Sequence, residues 1–244
     1  MKPVRIILRR ELASYFATPL AYVVIVIFLL MANSFAFSFG SLFERGQADL
    51  APFFNFIPWL YLFLIPAVSM RLWAEERRSG SIELLLTQPV TLWQAVLGKF
   101  FAAWIFITIA VALTFPIWIT VNYLGNPDNG AIFAAYVGCI VMAGGFLAIG
   151  SFTSSLTKNQ LIAFLLSAWL CFLLLLAGYP AVTEWFRGLG LQWLVDGIAS
   201  LSFLTHFESI MKGVLDLRDL LYFALVIIFF LLASTVVLEA RKSR

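Results

Sequence analysis

Residues able to do chemistry are few in this chain, and their spacing fits no catalytic pattern. The single histidine, His206, has one carboxylate, Glu208, two residues on. A lone histidine with one acidic neighbour reads as a surface histidine rather than a site. Cys139 and Cys171 both lie inside long uncharged windows, so they read as buried apolar residues and not as a disulfide or metal pair. No glycine-rich phosphate loop ending in Lys-Ser/Thr occurs, which removes P-loop ATP binding by this chain itself. A Gly-x-Ser-x-Gly elbow, a His-Glu-x-x-His helix and a cysteine cluster are also missing from the sequence. The densest concentration of charge is instead Arg71, Glu75, Glu76, Arg77 and Arg78. After it the chain runs uncharged from Leu84 to Gly98, broken at Pro89, before Lys99. That run is apolar enough to touch lipid and too short to cross a bilayer.

The elements that must position this stretch are membrane helices. Hydrophobic residues make up 62% of the sequence and charged ones 12%, with a mean hydropathy of +0.97. Soluble domains carry roughly 25% charged residues. Dividing the sequence at its charges leaves six windows of spanning length: Leu12–Phe43, Leu50–Met70, Phe100–Pro127, Asn129–Thr157, Asn159–Thr183 and Leu220–Leu238. About 20 apolar residues cross a hydrocarbon core of ~30 Å. The ten-residue alternation of a membrane barrel is not seen, so the fold class is an all-α polytopic membrane protein. One transmembrane domain over 1–244 is expected, with six spans near 20–41, 52–72, 99–121, 131–155, 160–181 and 220–239. The first window lacks the short apolar core and small-residue site of a cleaved signal peptide.

Six spans put both termini on one side, with the loops 71–99 and 156–160. That side holds Lys2, Arg5, Arg9, Arg10, Arg71, Arg77, Arg78, Lys99, Lys158, Arg241, Lys242 and Arg244. The other holds only Arg45, Arg187, Lys212 and Arg218 among basic residues. An excess of Lys and Arg marks the cytoplasmic side, so both termini are expected there. The net charge of +3 follows from this asymmetry and does not point to nucleic acid. No ionisable residue sits in mid-span, which argues against an ion-coupled transporter or pump. The energy for any work must come from elsewhere.

Local signals complete the picture. Val4, Ile7, Leu8, Leu12 and Tyr15 recur at helical spacing opposite Lys2, Arg5 and Arg9, predicting a basic amphipathic helix over 2–16 that lies in the interface. An ordinary positively charged flank is the alternative. Pro19 predicts a bend before span one. Pro52, Pro58 and Pro66 predict a kinked span two packed against protein. Span four, rich in Ala, Gly and Ser, reads as a packing helix. Hydroxyls over Ser151–Thr157 can bond its last carbonyls, and Asn159 can cap the next helix. Leu204, Phe207, Ile210 and Met211 form one stripe, predicting one or two short outer helices within 184–219 that end near Gly213. Asp216 and Asp219 then favour the start of span six.

Residues 71–100 read as a charged extension of span two that Gly80 ends in a left-handed conformation. A short helix, Ile82 to Thr87, follows, with Glu83 near its positive end. Pro89 stops it. The capping box Thr91-Leu-Trp-Gln94 opens the helix that becomes span three. The Leu84-Leu85-Leu86 face either packs on the spans or meets a partner; the residues alone leave both open.

The stretch "EERRSGSIELLLTQPVTLWQAVLGKF" resembles the coupling-helix region of ABC-transporter permeases of the type-2 exporter class. The likeness is strongest to the branch containing the gliding-motility permease GldF and the nitrous-oxide-reductase maturation permease NosY. "SSLTKNQLIAFLLS" and "LSFLTHFESIMKGVLDLRDLLYF" extend the resemblance over nearly the whole chain. It implies a non-catalytic permease in a bacterial inner membrane, paired with a second permease copy and docked to a cytoplasmic P-loop ATPase, with an auxiliary membrane or periplasmic protein as a further partner. ATP and magnesium would belong to that ATPase, and this chain would bind no cofactor. The coupling residues implied are Glu75, Glu76, Arg77, Gly80, Ile82, Glu83, Leu84, Leu85, Leu86 and Thr87, with Arg5, Arg9 and Arg10 of the interfacial helix nearby. Two other functions compete. A lipid-modifying membrane enzyme would need the outer carboxylates Glu184, Asp196, Glu208, Asp216 and Asp219 to converge. A non-catalytic scaffold would need nothing further.

Overall fold

The computed structural model describes residues 2–40, 48–81, 90–180, 182–184, 197 and 199–242. Their regular structure is helical: α1 (Lys2–Ala17), α2 (Pro19–Ser34) running into a π-helical turn (Phe35–Phe39), α3 (Ala51–Ser69), α4 (Arg71–Ser79), α5 (Leu92–Ala112), α6 (Phe115–Leu124), α7 (Asn129–Leu156), α8 (Gln160–Leu176), α9 (Phe203–Met211) and α10 (Leu217–Lys242). Five stretches are long and apolar enough to cross a membrane: Ala21–Ser38, Ala51–Ser79, Leu92–Leu124, Asn129–Leu156 and Leu217–Ala240. Gln160–Leu176 is apolar but shorter.

Helix α7 is the axis of the bundle. Of its most apolar window 78% is buried, against 28% in the first stretch and 22% in the last. Its small residues make this possible, because glycine lets a neighbour come against the backbone. A Cβ on Gly138 would stand 2.9 Å from Ile210, one on Gly144 2.9 Å from Ile227, and one on Gly150 2.0 Å from the Ser69 hydroxyl. Neighbours therefore close on α7 from several sides.

Cross-contacts fix the helix directions. Phe54 meets Tyr136, the Tyr61 hydroxyl donates to the Cys139 carbonyl, and Ser69 faces Gly150, so α3 runs parallel to α7. Thr114 bonds Tyr136 and Trp104 bonds the Ile140 carbonyl, so α5 runs antiparallel to it. Phe28 on Tyr61 and Phe35 on Phe56 set α2 antiparallel to α3. Trp59 against Tyr179, and Gly150 against Ser167, do the same for α8. Gly145 against Phe223, and Phe152 against Phe230, make α10 parallel to α7.

Two breaks have local causes. Thr18 precedes Pro19, and the missing proline N–H and restricted residue before it separate α1 from α2. The helix of the third membrane stretch starts at Leu92, directly after the expected capping box, and pauses at Leu113–Thr114 before Pro116. Proline interrupts the ladder there, and the Thr114 hydroxyl bonds both the Val111 carbonyl, at 2.6 Å, and Tyr136.

At the far end of the bundle, Ser202 caps α9, which ends with Gly213 at φ +85°. Phe207 and Ile210 are buried against Gly138. His206 differs from the surface histidine expected. Nδ1 lies 2.6 Å from Asp219, Nε2 lies 3.0 Å from the Ser200 carbonyl, and the ring stacks on Tyr222 at 4.0 Å. The residue clips α9 to the start of α10.

Candidate functional site

Helix α4 continues α3 past a break at Met70, and that break would leave the first N–H groups of α4 without acceptors. Ser154 of α7 supplies one. Its hydroxyl oxygen accepts from the Trp73 and Ala74 N–H groups, each at 3.1 Å, and donates to the Met70 carbonyl at 2.9 Å. One donor and two acceptor positions are all a hydroxyl has, so Ser154 is saturated by the break. The Trp73 indole N–H donates to Ser151 at 3.1 Å. Arg77 donates to the Ser155 carbonyl at 2.6 Å, near the end of α7 where carbonyls lack helical partners. A second support comes from α5. Lys99 is almost wholly buried, with Nζ 2.7 Å from Glu76 and 3.4 Å from Glu11. Its ammonium also lies 5.4 Å from the centre of the fully buried Trp73 ring. A cation taken out of water needs such partners.

The arm is thus fixed to α7 by hydroxyls, to α5 by Lys99, and through Lys99 to α1. Helix α1 presents its apolar stripe to protein. Ile7 is buried against Gly98, and Tyr15 stacks on Phe106 at 5.1 Å. The expectation of an apolar face resting on lipid therefore changes, since α5 takes up much of that face. Burial, reinforced by Glu11, pushes the Tyr15 phenol above its ordinary value, so it stays a protonated donor.

Of the expected coupling residues, Glu75, Glu76, Arg77 and Gly80 lie on or at the end of α4. Gly80 has φ +73°, a conformation glycine adopts without Cβ strain. Glu75 is 3.9 Å from Arg71. Ile82, Glu83, Leu84, Leu85, Leu86 and Thr87 lie outside the described residues. The chain is described again from Val90, where Thr91 and Gln94 form the reciprocal capping box. Arg5 and Arg9 are exposed, and Arg10 pairs with Glu11 at 2.7 Å. The structure brings Glu76 to Glu11 through Lys99, a junction the sequence reading did not find. The available signal was the isolation of Lys99, a charge at the start of a long uncharged window.

The outer carboxylates have separate structural roles. Asp216 accepts from the Arg218 N–H, Asp219 is engaged by His206, and Glu184 and Glu208 are exposed. Asp196 lies outside the described residues.

No curated relative matches the chain. A family model described as ABC-2 family transporter protein matches residues 10–242, covering α2 to α10 and the second half of α1. A polytopic apolar bundle with a charged arm after its second long helix agrees with that match, and the chain belongs to the ABC-2 transporter family.

Proposed function

We propose that this membrane transport subunit is the permease of an ATP-driven exporter or mechanotransmitting complex, close to the branch of the gliding-motility and nitrous-oxide-reductase maturation permeases. It works as a dimer with a separate cytoplasmic ATPase chain, docked through residues 82–87. ATP and magnesium belong to that partner. The observation that carries this reading is the bracing of α4. A segment that receives force from outside must pass it to the spans without bending, and α4 is held to α7 and α5 by the hydrogen bonds at Ser154, Ser151 and the Ser155 carbonyl and by the ion pair and ring contact of Lys99. The alternating helix directions favour six passes, with α8 as the fifth, and the basic excess favours cytoplasmic termini in a bacterial inner membrane.

The test is a double change, Glu83→Lys with Leu85→Asp, which puts unpaired charge into the docking contact. Apolar anchors at such interfaces contribute about 1–3 kcal/mol each. The variant should insert and dimerise but fail to co-purify the ATPase, while Trp93→Phe keeps it. Recovery of the ATPase at wild-type stoichiometry, with normal stimulation of its turnover, would remove 82–87 as the coupling element.

A further inference from the structure

A cavity of about 520 Å³ opens where α1, α2, the α3–α4 junction and α5 meet. Its size is that of a ligand pocket. Its lining changes character along the bundle. One end is formed by Arg10, Glu11, Arg71, Glu75, Glu76 and Lys99, and the other by Ala21, Val24, Ala67, Val68 and Phe106. Phe106 stands seven residues beyond Lys99 on α5, about 10 Å along the helix axis. The cavity therefore runs from a charged level to a depth of two turns among apolar side chains.

Among the described residues, two polar atoms of this lining are buried without a hydrogen-bond partner: Nε of Arg71 and Oε2 of Glu76. Arg71 Nε is 3.9 Å from Glu75, beyond hydrogen-bond length, and the other Glu76 oxygen is taken by Lys99. One orphan is a donor and the other an acceptor. Three cations and three carboxylates line the charged end, so their formal charges cancel.

We propose that this cavity binds one phospholipid carrying a phosphate and a primary ammonium, with its headgroup at the charged level and the start of its chains along Ala21, Val24, Ala67 and Val68. The phosphate accepts from the guanidinium groups of Arg71 and Arg10, and the ammonium donates to Glu75 and Glu76. An anionic glycerol headgroup would bring net negative charge to three carboxylates and offer them only neutral hydroxyl donors. A quaternary ammonium has no N–H to give Glu76. Of the aromatic faces nearby, Trp73 already carries Lys99, and the Tyr15 and Phe106 rings of the lining stack on one another. The lipid would wedge α1 against the base of the arm, independently of whether an ATPase docks at 82–87.

The test uses the full chain, delipidated in detergent, with native mass spectrometry of added phosphatidylethanolamine, phosphatidylcholine or phosphatidylglycerol. One phosphatidylethanolamine should be retained per chain, preferred by about tenfold over the other two. Arg71→Gln should weaken it several-fold, and Ala67→Phe, which fills the apolar end and leaves the charges, should abolish it. If Ala67→Phe fails to fold by thermal melting, Val24→Trp replaces it. Equal retention of phosphatidylcholine or phosphatidylglycerol, or retention unaffected by filling the cavity, would overturn the proposal in favour of annular lipid. Equal binding of soluble phosphoethanolamine would overturn it in favour of a small phosphate ester.

Discussion

Lys99 Nζ stands 2.7 Å from a Glu76 carboxylate oxygen and ties the start of the third long helix to the arm that follows the second. Nearly all of the lysine side chain is out of water, whereas Glu76 keeps 20% of its side chain exposed. The pair is therefore asymmetric. Removing the lysine leaves Glu76 facing Glu11 with its own ion pair lost, while Glu11 keeps the one to Arg10.

Lys99→Met should accordingly be the most damaging single change at this junction. Breaking a buried pair costs about 3–5 kcal/mol, and the partial hydration of both glutamates places this case at the lower end. Thermal unfolding in detergent measures it. The triple variant with Glu11→Gln and Glu76→Gln should recover much of the loss, and a triple variant as unstable as the single one would show that charge is not the cause.

Ser154→Ala removes the acceptor for two N–H groups and the donor to Met70, so a loss of about 1–3 kcal/mol is expected. The arm should also become a substrate for trypsin at Arg77 and Arg78. Ser155→Ala should change the rate of cleavage little, because that hydroxyl bonds the Phe152 carbonyl of its own helix while Arg77 uses the Ser155 backbone. Equal cleavage rates in the two variants would refute the bracing role of Ser154.

Gly150→Ala places a methyl group 2.0 Å from the Ser69 hydroxyl and 2.5 Å from its Cβ. Overpacking of this kind costs about 1–3 kcal/mol. Ser69→Gly in the same chain should relieve it, giving a favourable coupling in a double-mutant cycle. Strict additivity would mean that the two helices do not meet there.

Phe207 is buried under α9 while Lys212 is exposed. Phe207→Asp should lose several kcal/mol through an unpaired buried charge, and Lys212→Ala should stay within about 0.5 kcal/mol. Comparable melting temperatures for the two variants would contradict the packing of α9 on α7.

Orientation is open to cysteine labelling in a background without Cys139 and Cys171. Single cysteines at Ser79 and Ser243 should react from the cytoplasm and one at Asn129 from outside. Labelling of Ser79 from outside would reverse the charge argument.

What was legible in the sequence was whatever a local rule decides. The Pro19 bend, the left-handed Gly80, the Thr91–Gln94 box, the Asn159 cap and the Phe207–Ile210 stripe each depend on a few consecutive residues. The junction at Lys99 was not legible, because Glu11, Glu76 and Lys99 come from three elements and no periodicity links them. The sequence predicts that Ser154 bonds its own helix's carbonyls, as Thr153 and Ser155 do, yet it serves the break at Met70. Which serine turns outward depends on where a neighbouring helix breaks. The role of His206 is hidden for the same reason, since its partner Asp219 belongs to the next helix.

The serines that hold the arm lie about eighty residues further along the chain than the arm itself. During synthesis, α4 therefore leaves the ribosome well before Ser151, Ser154 and Ser155 exist, and its break at Met70 stays unsatisfied until α7 has been inserted. Chains truncated after residue 124 and released from the ribosome should expose Arg77 and Arg78 to protease, whereas chains truncated after the C-terminal end of α8 and likewise released should protect them. Protection already at residue 124 would show that Lys99 and Glu11 suffice. The order of translation would thus keep the lever unset until the axis of the bundle is in place, so that an incomplete subunit offers no firm arm to whatever drives it.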